Sequence, residues 1–435
     1  MADIVQPSIL PGFVELLPED QKSFDRLKNI IERNFIKYGF VNLDTPLIEK
    51  EEILLSKGGG ETSKQIYRID KESTPQALRF DLTVSLARFV AMNSHNLAFP
   101  FRRYQIGKVY RGERNQKGRY REFYQCDIDI VGQDKLSLFN DAELPLLIYR
   151  IFSEIGFEDL TFRINNRKLL NGFFDSVGVE DKEGVLRTID KLQKIGKQNT
   201  LEELQKMGID EGQVEKIFAF LDLSKTDVLS GLMALEIENE EFKLGRDELV
   251  KVYGYMLDFG IPKERIAIDL SITRGLDYYT GTVYETFLNG YESIGSVCSG
   301  GRYDDLANNF TKSKHPGIGV SIGLSRLYYQ LKQAGLLEDE KEGYVDVIAI
   351  PMGEEDISYC FSIVEDLRRK GIVSQVYFES AKLKKKFSYA DKIDAKFAIV
   401  VGENERNEGK LSLRNLKDGQ QDLINKDELL KILKR

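Results

Sequence analysis

Residues Phe101–Gly132 read FRRYQIGKVYRGERNQKGRYREFYQCDIDIVG. Apolar and aromatic residues alternate with polar ones at both ends of this stretch, which is typical of β-strands with one buried face. The polar segment between them, Arg111–Arg121, contains glycine, four arginines and one lysine. We therefore predict an antiparallel hairpin with a long basic loop.

Three polar residues occupy alternate positions of the second strand: Gln125, Asp127 and Asp129. Because strand side chains alternate between the faces of a sheet, these three project to one side and the apolar residues between them to the other. A charged loop by itself is often only a solvated surface. Here, however, arginines, which suit two-pronged contacts to phosphate or carboxylate, adjoin a row of hydrogen-bond acceptors. The combination predicts a pocket for a ligand with an anionic and a cationic end.

The run YRGERNQKGRYREFYQCDIDIVG within this stretch resembles motif 2 of the class II aminoacyl-tRNA synthetases, and in detail that of the histidyl-tRNA synthetase family. The resemblance implies that Arg111 contacts the α-phosphate of ATP and the carboxylate of the amino acid. It also implies that Glu113 lies near the adenine and that Arg119 reaches the outer phosphates. Gln125 and Asp129 are then expected in the amino-acid pocket.

A second informative stretch, TRGLDYYTGTVYE, lies between two predicted strands and places one cation and two phenols in a glycine-flanked turn: Arg274, Tyr278 and Tyr279. An aromatic pair in a hairpin is usually packing. This stretch nevertheless resembles the motif that separates histidyl-tRNA synthetases from other class II enzymes, and SVCSGGRYDDL, residues 296–306, resembles their second histidine-specific motif. The resemblance makes Arg274, together with Arg111, a catalytic residue that faces the α-phosphate and the carboxylate.

These motifs also indicate how an imidazole ring would be recognised. The ring offers N–H donors and a flat apolar face, so its pocket needs an acceptor at each end and an aromatic wall. Asp129 and Tyr279 are the predicted acceptors, and Tyr278 is the predicted wall and hydrogen-bond partner. A pocket of this kind rejects analogues that leave its polar groups unpaired.

The segment Arg79–Thr83, RFDLT, occupies the place of a family motif in which glutamate is usual at the position of Asp81. The resemblance makes Asp81 and Thr83 acceptors for the α-amino group of the substrate. An alternative is that Asp81 caps the predicted helix 82–92, and the two roles are compatible.

The run HPGIGVSIGLSR, residues 315–326, begins like a glycine-rich dinucleotide loop, with Gly317 and Gly319 in place. It fails as one because the sixth position of that pattern, counted from Gly317, is Ile322 rather than glycine. It resembles class II motif 3, a strand that leads into a helix predicted over 324–336. Arg326 is then expected to pair with the γ-phosphate of ATP or to stack on adenine. Near the N-terminus, the helix 19–38 and the strand 40–45 resemble motif 1, which implies a homodimer, although an ordinary surface helix has the same pattern.

The predicted fold class is α+β. An antiparallel sheet with flanking helices, as in class II synthetases, is formed by residues 1–170 and 265–336. Between them, 171–264 has the pattern of a helical insertion, for which the resemblance implies contact with the tRNA acceptor stem. Residues 343–435 alternate strand and helix patterns and predict a small α/β domain with a largely parallel core, which resembles the anticodon-binding domain of related synthetases. Its lysine cluster is either a phosphate-binding surface or a solvated face: Lys382, Lys384, Lys385 and Lys386.

Composition sets the outer limits. The chain has 435 residues and a net charge of −8, which argues against a uniformly basic nucleic-acid binder. Its three cysteines show no metal-ligand spacing, so we expect no protein-bound zinc, no disulfide framework and a cytoplasmic location. We find neither a secretory signal nor an apolar run long enough for a membrane span. With only two histidines, His95 and His315, histidine-based acid–base chemistry is poorly supported.

The resemblance as a whole implies a histidine–tRNA ligase. It would use ATP, with Mg²⁺ brought by the nucleotide, to form histidyl-adenylate from L-histidine, and would transfer the histidyl group to the 3′ end of tRNA(His). The alternative is a non-catalytic regulatory paralogue that binds histidine for ATP phosphoribosyltransferase. The presence of Arg111, Arg119, Arg326 and the C-terminal domain argues against that alternative.

Overall fold

The computed structural model describes residues 5–56, 60–71, 74–113, 118–225, 227–273, 275, 278–304, 306–337 and 345–433. The chain forms two compact units, Met1–Leu337 and Glu338–Arg435. The first unit contains an eight-stranded sheet and a small three-stranded sheet, and the second contains a five-stranded sheet. None of the described helices is long and apolar enough to cross a membrane.

The strands of the first unit are β1 (Val41–Asn42), β2 (Ile48–Lys50), β3 (Arg68–Ile69), β4 (Gln76–Leu78), β5 (Phe101–Tyr110), β6 (Glu122–Val131), β7 (Leu160–Asn166), β8 (Ile266–Ile268), β9 (Thr282–Leu288), β10 (Cys298–Tyr303) and β11 (Gly317–Ile322). Its α-helices are α1 (Pro18–Lys37), α2 (Glu51–Leu54), α3 (Gly60–Gln65), α4 (Thr83–Asn93), α5 (Phe139–Ile155), α6 (Arg167–Ser176), α7 (Lys182–Ile189), α8 (Leu192–Lys206), α9 (Glu211–Asp222), α10 (Val228–Ala234), α11 (Glu240–Asp258) and α12 (Leu324–Gln333).

The large sheet has the strand order β1-β5-β6-β11-β10-β9-β7-β8. The six strands β5-β6-β11-β10-β9-β7 are antiparallel to their neighbours. The two outermost strands pair in parallel, β1 with β5 and β8 with β7. The hairpin predicted from Phe101–Gly132 is therefore confirmed, since β5 and β6 pair over their whole length. The predicted class, an antiparallel sheet with flanking helices, is also confirmed.

The two faces of this sheet differ in chemistry. One face carries fully buried side chains such as Ile128 and Ile130 and packs in the main hydrophobic core with α1, α5 and α12. α1 meets this core with one apolar stripe, which includes Phe24, Leu27 and Phe35, because helical positions three and four apart lie on the same side. The opposite face carries the polar residues of β6.

One of the two elements predicted at the N-terminal side differs from its prediction. The strand predicted over 40–45 is only β1, Val41–Asn42, which pairs parallel with two residues of β5 at the edge of the sheet. Pro46 has no backbone N–H, so it cannot donate a hydrogen bond that would extend this pairing. The helix predicted over 19–38 is confirmed as α1.

Between β7 and β8 the described residues form helices, α6 to α11, as the pattern over 171–264 predicts. They belong to the same compact unit as the sheet. α6 and α11 pack closely against each other. Asn166 is the N-cap of α6, and its side chain accepts a hydrogen bond from the Lys168 backbone N–H. The division of the first unit into a sheet domain and an insertion stays a prediction.

The second unit contains β12 (Val347–Pro351), α13 (Ile357–Arg368), β13 (Ser374–Val376), α14 (Leu383–Lys392), β14 (Phe397–Val401), α15 (Glu403–Glu408), β15 (Leu411–Asn415), β16 (Gln421–Ile424) and α16 (Lys426–Leu433). Its strand order is β13-β12-β14-β15-β16, in which the first three strands are parallel and the last two antiparallel. The sequence predicts only the parallel part. The last strand lies mostly exposed at the edge, so its sequence lacks the alternation that identifies a half-buried strand.

The lysine cluster of α14 is divided by the fold. Lys386 is buried, and its Nζ donates a hydrogen bond to the Pro351 carbonyl over 2.6 Å. It therefore cannot be part of a phosphate-binding surface, which corrects the prediction for this residue. Lys382, Lys384 and Lys385 are exposed.

Candidate active site

A cavity of about 650 Å³ lies on the polar face of the large sheet. Its volume falls in the range of small-molecule sites. Every predicted site residue that the structure describes lines it: Asp81, Thr83, Arg111, Glu113, Arg119, Gln125, Asp129, Tyr278, Tyr279 and Arg326. Arg274 lies outside the described residues, although its neighbours Ile272 and Tyr278 line the cavity. The roles of all these residues stay predictions.

The register of the sheet explains why these side chains meet. Asp127 of β6 is paired with Gln105 of β5 and with Ser321 of β11, and Ser321 in turn is paired with Ser299 of β10. Paired residues of neighbouring strands project to the same face. A polar row therefore crosses the sheet and continues to Glu285 of β9.

Two glycines make room for side chains above the sheet. A Cβ at Gly319 would lie 2.2 Å from Asp129 Oδ1, and a Cβ at Gly301 would lie 2.7 Å from the ring of Tyr279. Both distances are far inside van der Waals contact, so only glycine allows the carboxylate and the phenol to lie where they do.

Asp129 is held by two partners that the sequence does not identify as site residues. Its Oδ2 lies 2.7 Å from Arg103 NH2 in an ion pair whose side chains are 2% and 0% exposed, respectively. Its Oδ1 accepts a hydrogen bond from the Tyr303 hydroxyl over 2.7 Å. The signal for Arg103 is its position two residues before Gln105, because alternate residues of a strand project to the same face of the sheet. Tyr303 lies within the stretch 296–306, but no role was predicted for it.

Asp81 bonds the first turn of α4, which agrees with the capping alternative, whereas its role as an acceptor for the α-amino group stays a prediction. Its Oδ1 accepts a hydrogen bond from the Val84 backbone N–H at the start of α4, over 3.2 Å. Its Oδ2 accepts from the Tyr278 hydroxyl over 2.7 Å, and both Asp81 and Tyr278 line the cavity. The contact joins two motifs that are far apart in the sequence. Tyr278 therefore bonds Asp81 within the site, and its predicted role towards the imidazole ring stays a prediction.

The other end of the cavity is basic. Arg111 Nε donates to the Phe80 carbonyl over 3.0 Å, and its guanidinium lies over the Phe123 ring, 5.2 Å from the centroid. Arg119 lies 3.9 Å from Glu113 in a partly exposed ion pair. Arginine keeps its charge at any physiological pH, so this end presents fixed positive charge.

Three carboxylates at the centre of the site are buried, and burial disfavours their ionised form. It raises the pKa of Asp127 to about 7, against the opposing effect of the Arg103 charge and with a further increase from the charge of Asp129. Burial also raises the pKa of Asp129, while Arg103 and Tyr303 act against it. The pKa of Asp81 is raised by burial and lowered in part by the Tyr278 hydroxyl. Each of the three carboxylates also has a cationic or hydroxyl partner, which offsets the effect of burial on its pKa only in part.

The helical segment also reaches the cavity. Ile189 and Asp190 at the end of α7 line it. The Thr273 hydroxyl donates to the Leu186 carbonyl of α7 over 3.0 Å, and Arg167 NH2 donates to the Thr273 carbonyl over 3.0 Å. These two hydrogen bonds hold Thr273, the residue directly before position 274, against α6 and α7. The sequence of these helices shows no pattern that would indicate this contact.

Among the described residues, no group of three His, Cys, Asp or Glu side chains is arranged to hold a metal ion. The three cysteines are buried and form no disulfide: Cys126, Cys298 and Cys360. The site therefore combines fixed cations, buried carboxylates and phenols.

Comparison with known proteins accounts for this combination. The family model described as histidyl-tRNA synthetase matches residues 12–327, and an anticodon-binding-domain model matches residues 346–435. A histidine–tRNA ligase of Clostridium tetani is 54% identical over 99% of both chains, and one of Finegoldia magna is 52% identical over 99% of this chain and all of its own. The crystal structure of histidyl-tRNA synthetase from Nostoc sp. PCC 7120 superposes with a TM-score of 0.89 at 39% identity, covering 99% of this chain and all of that one. On these grounds the chain belongs to the histidyl-tRNA synthetase family.

Proposed function

We propose that the chain joins L-histidine to tRNA(His) in two steps, the first of which consumes ATP. It is a ligase that forms aminoacyl-tRNA. The observation that carries this function is one cavity whose wall combines three arginines, Arg111, Arg119 and Arg326, with the buried carboxylates of Asp81 and Asp129. The arginines suit the phosphates of ATP, and the carboxylates suit the α-ammonium group and the imidazole.

In the first step, a carboxylate oxygen of histidine attacks the α-phosphorus of ATP, and the bond to the β-phosphate oxygen breaks. The products are histidyl-adenylate and pyrophosphate. Arg111 and Arg274 would stabilise the negative charge that develops on the α-phosphate, which requires no titratable base. Glu113 would lie at the adenine, while Arg119 and Arg326 would hold the outer phosphates.

Asp81 and Thr83 would accept hydrogen bonds from the α-ammonium group, with Gln125 beside them. Asp129 and Tyr279 would accept from the imidazole, and Tyr278 would form the wall of the pocket. In the second step, a hydroxyl of the terminal adenosine of tRNA attacks the histidyl carbonyl carbon and AMP leaves. No covalent enzyme intermediate is needed.

Mg²⁺ fits this site as a companion of the nucleotide. The described residues include no preformed ligand cluster, whereas Mg²⁺ commonly binds substrate phosphates together with one or two carboxylates. Glu285 is the carboxylate of the cavity that we assign to such contact. Bound there, the ion would neutralise charge on the phosphates.

The homodimer and the cytoplasmic location are also part of the proposal. Large apolar side chains are exposed on α1 and β1, the region that resembles motif 1, at Ile36 and Val41, and on β2 shortly after it, at Ile48. Such an exposed apolar surface suits a second copy of the chain. The buried, unpaired cysteines suit a reducing compartment. The regulatory paralogue is not favoured, because full-length relatives at more than half identity are ligases.

Amino-acid-dependent exchange of pyrophosphate into ATP tests the activation step. We expect exchange with histidine alone among the twenty amino acids, and its loss in Arg111→Ala and Arg274→Ala. Lys385→Ala, an exposed lysine of the second unit, is the control that should leave exchange unchanged. Exchange with another amino acid would overturn the pocket assignment, and binding of histidine without exchange would restore the regulatory alternative.

A further inference from the structure

We propose that Asp127 and Ser321 form a hydrogen-bond relay that fixes the amide of Gln125, so that its carbonyl oxygen, and not its NH₂ group, faces the bound amino acid. The relay makes Asp127 and Ser321 positioning residues for recognition of the α-ammonium group. This inference rests on the proposed function, because it takes the cavity as the histidine site.

The relay runs across two neighbouring strands. Asp127 of β6 and Ser321 of β11 are paired in the sheet. Ser321 Oγ lies 2.5 Å from Asp127 Oδ1, and Gln125 Nε2 lies 2.9 Å from Ser321 Oγ. All three residues line the cavity.

The direction of each hydrogen bond follows from the chemistry of the groups. Above its pKa of about 7, the Asp127 carboxylate is ionised and has no hydrogen to donate, so the only hydrogen of the Ser321 hydroxyl then points to Asp127. The Ser321 oxygen can then only accept from Gln125, which requires Gln125 to turn its NH₂ group towards the serine. The amide oxygen of Gln125 is left for another partner.

That oxygen is a buried acceptor without a donor. Gln125 is only 9% exposed, and its Oε1 accepts no hydrogen bond from any group in the described part of the chain. Buried polar groups in native proteins are almost always paired, so an unpaired acceptor in a cavity wall points to a donor on the ligand. An α-ammonium group carries three such donors.

The charge of Asp127 determines whether the relay keeps its direction. The titratable and charged groups that interact with it from β6 and from neighbouring elements include Arg79, Arg103, Asp81, Asp129, Cys126, Cys298 and Tyr279. Of these, Arg103 favours the ionised form of Asp127 and the two other aspartates disfavour it. A protonated Asp127 could donate to Ser321, which would then donate to Gln125 and reverse the amide.

The relay therefore separates recognition of the amino group from recognition of the ring. A reversed amide would present N–H donors to the ammonium group of histidine and repel it. An analogue that lacks the amino group, 3-(imidazol-4-yl)propionate, has no such contact to lose. The ratio of the two dissociation constants measures the orientation of Gln125.

Asp127→Asn is the decisive variant, because the asparagine NH₂ group can donate to Ser321 and reverse the relay. We expect histidine to bind this variant about 10- to 100-fold more weakly, the range of a hydrogen bond to a charged group, with little change for the propionate. Ser321→Ala should also weaken the binding of histidine and not that of the propionate, but by a smaller factor than Asp127→Asn, because the Gln125 amide of this variant can take either orientation. Ser321→Thr, which keeps the hydroxyl, should bind both ligands as the unaltered chain does.

Binding is measured by calorimetry on the full chain at about pH 8.5, where Asp127 is ionised, so the outcome depends neither on catalysis nor on a mixture of protonation states. A parallel loss of both ligands in Asp127→Asn and Ser321→Ala would indicate a general disturbance of the pocket and overturn the relay, as would an unchanged ratio. If Asp127→Asn does not fold, the comparison of Ser321→Ala with Ser321→Thr decides. Failure of the proposed function would appear separately, as absence of histidine-dependent pyrophosphate exchange in the unaltered chain.

Discussion

Removal of the Arg103 charge should destabilise the protein through Asp129. Arg103→Met keeps most of the side-chain volume but leaves the Asp129 carboxylate buried without its cation, since the two groups are 2.7 Å apart and essentially inaccessible to solvent. The Tyr303 hydroxyl would be the remaining partner of Asp129.

The magnitude follows from the distance and the burial. At 2.7 Å and an effective dielectric constant of about 20, the attraction between two unit charges is about 6 kcal/mol. Desolvation of each ion costs several kcal/mol, so the pair as a whole contributes little net stability. Loss of one partner alone leaves the desolvation of the other uncompensated, and we expect Arg103→Met to lower the free energy of unfolding by about 3–5 kcal/mol.

A double-mutant cycle with Asp129→Asn provides the assay, with denaturant unfolding of the ligand-free chain monitored at pH 8. The double variant should lose less free energy of unfolding than the two single variants lose together, by at least about 2 kcal/mol, because it contains no buried charge without a partner. Protonation of Asp129 removes the penalty, so the loss in Arg103→Met should be smaller at pH 5. Additivity of the two single effects to within about 0.5 kcal/mol would refute the ion-pair account.

Three further predictions address the site. Gly319→Ala places a methyl group 2.2 Å from Asp129 Oδ1, so histidine binding should weaken at least about tenfold in a calorimetric titration, and unchanged binding would contradict the close approach. Thr273→Val removes the hydroxyl that bonds Leu186, and we expect kcat for pyrophosphate exchange to fall about tenfold with little change in the KM for histidine, whereas Thr273→Ser should keep the rate of the unaltered chain. Burial raises the pKa of Asp127 to about 7, above its unfolded value near 4, so its ionisation costs stability as pH rises through this window. The stability advantage of Asp127→Asn over the unaltered chain, measured by denaturant midpoint, should therefore grow from pH 4 to pH 7 and then level off; a constant difference would contradict the assigned cause.

The sequence identifies the fold and most of the site because both depend on local patterns. The alternation in Phe101–Gly132 determines which side chains of β6 share a face, and Gln125 and Asp129 reach the cavity for that reason. Their partners are harder to find, because Arg103, Tyr303 and Ser321 acquire their contacts through the register between strands. A one-residue shift in that register would place them on the other face, and no local pattern reports it.

A similar limit applies to the second unit and to the helical segment. The exposed edge strand β16 has no alternation to reveal it, and Lys386 reads as one member of a charged run although the fold buries it. The contact of Thr273 with α7 joins residues 87 positions apart, so its role emerges only from the three-dimensional packing.

The place of β11 in the sheet has a consequence for synthesis on the ribosome. β11 is the last strand of the large sheet to be made, yet it lies in the middle, between β6 and β10. Until Ile322 has emerged, β6 and β10 each lack one neighbour and expose an unpaired edge of the kind that recruits foreign strands. Nascent chains shorter than this cannot assemble the binding cavity, and they are the species that most need protection by chaperones.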